Sequence, residues 1–243
     1  MADVAESFGT GSWRFTPEVA GVFDTHVRAS VPFYDTIQDL IAEMSDWLVP
    51  DGGLIADLGV ATGATATRIL NRHPERNISL VLYDEQQAML DQAAKNLDPL
   101  APNKITYRRA RIQDPPLQHT DADLTLILFT LQFLSLEDRV AALRLARLSA
   151  RETGALIVAE KMRPPDPRWT EISNDVSHDW KAAHGITDSA IRAKARALRG
   201  VLIPSSQVTL LRMIKAAGWQ APEVLFRWHS WAVVGAFAAP ADG

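Results

Sequence analysis

The stretch Ala-Asp-Leu-Gly-Val-Ala-Thr-Gly-Ala-Thr-Ala-Thr over 56–67 constrains this chain more than any other. An apolar run leads into Gly59 and Gly63, and a helical pattern follows over 65–72. Strand, glycine turn and helix in that order open a βαβ unit, whose helix start presents backbone N–H groups to a nucleotide. A dinucleotide fingerprint of the form G-x-G-x-x-G needs three glycines, for a tight turn, for close approach of the pyrophosphate and for helix–strand packing. Here those positions hold Gly59, Ala61 and Ala64, so a Cβ stands where the pyrophosphate comes nearest. The spacing disfavours NAD or FAD and favours a nucleoside that carries no pyrophosphate.

The rest of the chain repeats the strand–helix rhythm. Apolar or β-branched runs at 54–59, 78–83, 104–109, 123–129 and 155–160 alternate with helical patterns at 65–72, 86–96 and 136–149. Alternation of this kind predicts an α/β fold with a mostly parallel sheet covered on both faces. Pro74 ends the first crossover helix, and Gly154 sits where a helix–strand connection uses a glycine. Two regions break the rhythm. Residues 16–47 read as helix, a break at Ser30-Val31-Pro32, and helix; residues 163–203 open on a proline-rich turn and carry helices at 170–183 and 188–198. Both are expected to fold over the sheet as a helical cover. A helix at 207–217 and two runs at 223–228 and 231–237 follow, predicting an antiparallel hairpin at the sheet edge and seven strands in all. No linker divides the chain, so 1–243 is expected to form one domain.

With 243 residues, 47% of them hydrophobic, the chain can bury a substantial core. The absence of cysteine excludes disulfides, thiolate zinc sites and a cysteine nucleophile. A net charge of -4 lacks the surplus that phosphate-backbone binding demands, although basic clusters occur at 108–111 and 192–199. Residues 1–10 carry Asp3 and Glu6 instead of a basic start and an apolar run, and no later run reaches a membrane span. A cytoplasmic protein without direct nucleic-acid or membrane contact is expected.

Gly59 and Gly63, four apart and preceded by Asp57, resemble the first motif of class I S-adenosylmethionine-dependent methyltransferases. The resemblance implies a Rossmann-like class I methyltransferase fold with S-adenosyl-L-methionine as cofactor. Asp84 ends the second strand-like run, where a carboxylate accepts hydrogen bonds from both ribose hydroxyls, as the acidic residue of the related dinucleotide folds does. Arg111 and Ile112 follow the third run, where such enzymes place the adenine contacts; Asp114, before two prolines, also reads as a turn residue.

Several further stretches are similar to the carboxy-S-adenosylmethionine synthases, methyltransferase-fold enzymes of a bacterial tRNA wobble-uridine modification pathway. The matching runs are Trp13-Arg14-Phe15, residues 19–24, Ser30-Val31-Pro32-Phe33-Tyr34, residues 129–134, Glu160-Lys161, and His178-Asp179-Trp180-Lys181 with Gly185. The resemblance implies a homodimer that binds S-adenosylmethionine and prephenate, with Tyr34, the Asp57–Gly63 loop through Ala61, and Asp84 as ligand contacts. Two positions depart from the pattern. Leu128 stands where that family has an asparagine, and Ala195 where it has the arginine that pairs with the added carboxylate. Losing a charge-assisted partner for a closed-in carboxylate costs on the order of 1.5–3 kcal/mol. Methyl transfer to a small-molecule acceptor is therefore the expected reaction, with carboxy-S-adenosylmethionine synthesis as the alternative and binding without turnover as a third. Arg192, Arg196 and Arg199 are the candidates to compensate from the same helix, although the step from Ala195 to Arg196 turns a side chain about a hundred degrees round it.

Methyl transfer needs positioning above all, and a general base only where the nucleophile starts protonated. The pair His178-Asp179 is the first choice for that base, then Tyr34 and Glu160, and more remotely His26 and His229. Lys161 is read as the partner of an acid. Trp13, Phe15, Phe33, Trp180 and Trp228 are read either as an apolar acceptor pocket or as core filling, the commoner place for aromatic residues. No H-x-x-x-H or H-E-x-x-H spacing occurs, so no metal site is expected.

Overall fold

The computed structural model describes residues 8–101, 104–114 and 121–239. The first seven residues of the N-terminal stretch and the prolines at 115 and 116 lie outside that description. Two helices come first, α1 (Pro17–Ser30) and α2 (Tyr34–Leu48), separated at Val31–Phe33 as the proline predicts. Then β1 (Leu54–Leu58), α3 (Ala64–Arg72), β2 (Ser79–Asp84), α4 (Gln87–Leu97), β3 (Ile105–Arg109), β4 (Ala122–Leu128), α5 (Leu136–Ser149) and β5 (Ala150–Lys161) alternate. The chain continues through α6 (Pro167–Ala183), α7 (Asp188–Ala197), α8 (Gln207–Ala216), β6 (Gln220–Trp228) and β7 (Trp231–Phe237).

The seven strands form one sheet in the order β3-β2-β1-β4-β5-β7-β6. β1 to β5 pair in parallel, while β7 runs antiparallel between β5 and β6. The predicted hairpin thus closes the edge with its second strand inserted next to β5. The order reverses between β1 and β4, and the crevice beyond the carboxyl ends at such a reversal is where open α/β sheets bind ligands. Burial on both faces explains the nearly continuous apolar strands: the first six residues of β4 are all buried. One face packs Ile37 and Ile41 of α2, Ile69 of α3 and Leu90 of α4; the other packs Leu143 of α5, Leu210 and Ile214 of α8, and Trp219.

Three local readings change. α2 belongs to the sheet-packing layer and not to the cover, because Ile37 and Ile41 lie in the central core. α6 begins at Pro167, capped by Asp166 with proline in the first turn, three residues before the apolar pattern starts. Gly154 is no helix cap: α5 passes straight into β5, and Gly154 lies within that strand. A Cβ at Gly154 would stand 2.7 Å from the Ala122 carbonyl oxygen, beside the irregular pairing of β4 with β5. Close backbone approach, not turn geometry, requires the glycine.

Candidate functional site

Beyond Leu58 the chain turns at Gly59, whose φ of 97° favours glycine. The Gly59 and Val60 N–H groups donate to the Tyr83 carbonyl at 2.8 and 3.0 Å, tying the loop to β2. A Cβ on Gly59 would come 2.8 Å from Thr130 Cγ2 and overlap that side chain. Gly63 (φ 79°) starts α3, and a Cβ there would stand 2.8 Å from Leu97 Cδ1. Between them Ala61 keeps a left-handed φ of 50° despite its Cβ. Its N–H donates to Asp84 Oδ2 at 3.1 Å, and the Gln86 N–H donates to Asp84 Oδ1 at 2.9 Å. Asp84 is thereby held in one orientation. Burial raises its pKa, and those two N–H groups work against the rise. Asp57 is buried behind it, and burial with the neighbouring Asp84 charge pushes its carboxyl up to about 7.

These residues form one wall of a cavity of about 720 Å³, within the size range of small-molecule sites. Leu128, Phe129 and Thr130 at the end of β4 and Lys161 at the end of β5 continue it. α1, α6 and α7 close it through Phe23 and His26, His178 and Lys181, and Ile191 and Lys194. The latch between cover and loop is explicit: Thr62 donates to Asp24 of α1 at 2.5 Å.

Of the residues singled out in the sequence, Tyr34, Asp57, Gly59, Ala61, Asp84, Arg111, Ile112 and Leu128 line the cavity. Gly63 instead packs toward α4. His178 and Asp179 are both exposed, but only His178 lines the cavity, with Asp179 a hundred degrees or so further round α6. The two do not form a dyad. Partial desolvation is the main cause that lowers the His178 pKa, and the charges of Lys181 and Lys161 lower it further. Tyr34 is unsuited as a base, because burial, with the Asp24 charge, raises its phenol far above the usual range. It remains a hydrogen-bond donor.

Glu160 is a correction. Its carboxylate accepts from the Leu131 and Gln132 N–H groups at 2.9 and 2.8 Å and lies outside the cavity wall. Burial raises it to about 8, with Arg139 and those N–H groups pulling the other way. It bolts the turn after β4 to β5. Lys161, expected to pair with an acid, has no carboxylate within ion-pair distance among the described residues. His229 sits in the β6–β7 turn, stacked edge-on against Trp228, away from the cavity. His26 lines the cavity and is engaged by Ser30 at 3.3 Å and by Lys194. The aromatic group divides in two: Trp13 and Phe15 face the cavity, while Phe33, Trp180 and Trp228 pack on one another at 4.9–5.8 Å outside it. Phe23, Phe129, Phe133 and Trp231 supply the missing aromatic lining.

A methyltransferase domain family matches residues 55–154, which run from β1 into β5. The carboxy-S-adenosyl-L-methionine synthase of Shewanella amazonensis is 30% identical over 223 residues, covering 91% of this chain and 91% of that one. The chain belongs to that synthase family, within the S-adenosylmethionine-dependent methyltransferases. An O-methyltransferase family protein of Burkholderia thailandensis shares the fold with a TM-score of 0.67 at 15% identity; the match spans 92% of this chain and 60% of that one. Human N-acetylserotonin methyltransferase in complex with S-adenosylmethionine superposes with a TM-score of 0.62 at 14% identity, over 93% of this chain and 57% of its own length. S-adenosyl-L-methionine is the cofactor, and the protein is a transferase that depends on it.

Sequence reasoning singled out His178 but not the cavity-facing stripe on α6 to which it belongs. Asn174, His178 and Lys181 all line the cavity, and their spacing of four and three residues puts them on one helix face. The polar i, i+4, i+7 pattern was the available signal. Arg139 gave no signal, since an arginine in an amphipathic helix reads as solvent-facing.

Proposed function

We propose that this protein transfers the methyl group of S-adenosylmethionine to a small-molecule acceptor. The observation that carries the reading is the cavity itself, with the glycine loop and the fixed Asp84 on one wall and a polar face of α6 on another. Bound S-adenosylmethionine supplies an electrophilic methyl on a sulfonium. The Gly59 to Ala61 backbone gives it a surface free of large side chains, Asp84 accepts from the ribose hydroxyls, and Arg111 and Ile112 flank the adenine. Tyr34 donates from the protonated phenol. His178, its pKa lowered by partial desolvation and by the lysines near it, takes a proton from an acceptor that starts protonated. Asp179 stays outside this set. A single domain, a cytoplasmic homodimer and no direct nucleic-acid contact belong to the same reading, supported by the family and by the net charge of -4.

The lowered imidazole pKa gives a pH prediction. A base acts in its deprotonated form, so kcat/KM should rise with pH through a midpoint below imidazole's ordinary value of about 6.5. His178→Gln should remove that acid limb and lower kcat at least about tenfold while leaving S-adenosylhomocysteine affinity unchanged. A wild-type acid limb retained in the variant would rule His178 out.

Carboxy-S-adenosylmethionine synthesis from prephenate is the second reading, favoured by 30% identity over nine-tenths of both chains. Against it, Leu128 and Ala195 both line the cavity, where neither can hold a carboxylate; Arg199 also reaches the lining, while Arg192 and Arg196 do not. Mass spectrometry of the nucleoside products formed with and without prephenate separates the two. S-adenosylhomocysteine formed with a methylated acceptor supports the first reading, and a carboxylated nucleoside overturns it.

A further inference from the structure

Gln38 is a buried polar side chain in the cavity wall that spends only half of its hydrogen-bonding capacity. It stands on α2, one turn after Tyr34, with 1% of its surface exposed, and both residues line the cavity. Its Oε1 accepts from the Thr65 hydroxyl, in the first turn of α3. Among the described residues its amide nitrogen has no acceptor, and because protein does not fully enclose that nitrogen, it opens on the cavity. Idle N–H groups in a buried amide cost stability, and an acceptor supplied by a ligand removes that cost. More donors lie beside it. α3 starts at Ala64 without a side-chain cap, and the Ala64 and Thr65 N–H groups donate to no described residue. The Tyr34 phenol, kept protonated by burial, is a donor as well. A place where the remaining groups are donors suits a carboxylate and not an ammonium.

The strand order says which part of the cofactor reaches this place. β3, β2, β1 and β4 are successive neighbours, with Ile112 beyond β3, Asp84 at the end of β2, Gly59 beyond β1 and Phe129 beyond β4. With the adenine beside Ile112 and the ribose on Asp84, the sulfonium and then the methionyl tail follow over Gly59, toward the start of α3. Tyr34 packs on Phe129 at 6.0 Å, which brings the Tyr34–Gln38 face of α2 to the same end of the cavity. We infer that Gln38 binds the α-carboxylate of the cofactor's methionyl tail, with the start of α3 and Tyr34 beside it. The inference rests on the adenosyl wall proposed above and adds a residue that reads the tail instead of the nucleoside. A fixed tail also fixes the sulfonium in front of the acceptor, which is where the rate of methyl transfer is decided.

Calorimetry on the whole protein at about pH 8, where a glutamate is ionised, tests this with S-adenosylhomocysteine, its decarboxylated analogue, and 5′-methylthioadenosine, which lacks the amino-acid tail. The wild type should bind S-adenosylhomocysteine about a hundredfold tighter than either of the others, the preference that several charge-assisted hydrogen bonds confer. Gln38→Met should weaken S-adenosylhomocysteine about tenfold and shift the other two by less than about twofold. Gln38→Glu keeps the acceptor for Thr65 but turns the donor into an oxygen, so S-adenosylhomocysteine should weaken at least as much there. A loss that the decarboxylated analogue or 5′-methylthioadenosine shares would make Gln38 a support of the wall or a partner of the ammonium, and overturns the inference. S-adenosylhomocysteine affinity unchanged in both variants, or a wild type that binds all three ligands equally, also overturns it while leaving the adenosyl wall in place. Binding of none of the three to the wild type is the separate failure of that wall, and the inference falls with it.

Discussion

Arg139→Met should lower stability by about 3–5 kcal/mol, the cost of leaving several acceptors without their charged donor at once. Arg139 is only 2% exposed although it stands on α5. Its guanidinium donates to Ser205 Oγ and the Ile203 carbonyl at 2.6 Å each, to the Leu134 carbonyl at 3.0 Å and to the Gln132 carbonyl at 3.4 Å. One side chain thus joins the turn after β4 to the segment that returns from the helical insertion. Methionine fills similar volume and donates nothing, so those four acceptors lose their donor together, and the buried Glu160 loses a nearby positive charge. Thermal denaturation should show a drop on the order of 10 °C for a chain of this size. A loss below about 1 kcal/mol would mean that water replaces the guanidinium and that the two segments are not joined through it.

Gly59→Ala has the next largest expected effect, about 3 kcal/mol, from two independent causes. A φ of 97° strains any residue with a Cβ, and the added methyl meets Thr130, whose hydroxyl is fixed by donation to the Leu128 carbonyl at 3.0 Å. The Thr130→Ala change removes the second cause and leaves the first. The double variant should recover roughly half of the loss, and urea midpoints measure both. Full recovery would assign the whole cost to the clash; no recovery would assign it to the backbone.

Periodicity made the sheet legible, because strands buried on both faces and crossover helices with one apolar face leave distinct patterns. The glycine loop was legible for a different reason, since Gly59 and Gly63 sit at positive φ and no other residue replaces them cheaply. Asp84 was legible from its place at a strand end. What the sequence concealed depends on contacts between distant segments. Glu160 looks like a general base until the Leu131 and Gln132 N–H groups are seen to occupy it. Gly154 looks like a helix cap until the Ala122 carbonyl is found against it. Phe33, Trp180 and Trp228 look like a pocket and prove to be a cluster outside the cavity, because apolar character does not encode which surface a ring covers. Ala61 shows the reverse: the absent glycine pointed away from a pyrophosphate, yet the position retains a glycine-like φ and uses its N–H to hold Asp84.

The central claim is that the glycine loop and Asp84 form the wall that takes the adenosyl group. Calorimetric titration of S-adenosylhomocysteine into wild-type protein and into Asp84→Ala tests it directly, with circular dichroism to establish that the variant is folded. One molecule should bind per wild-type chain, and the variant should bind about a hundredfold more weakly, as expected when two hydroxyls lose a charged acceptor. Equal affinity in the two folded proteins would contradict the assignment and place the nucleoside elsewhere in the cavity.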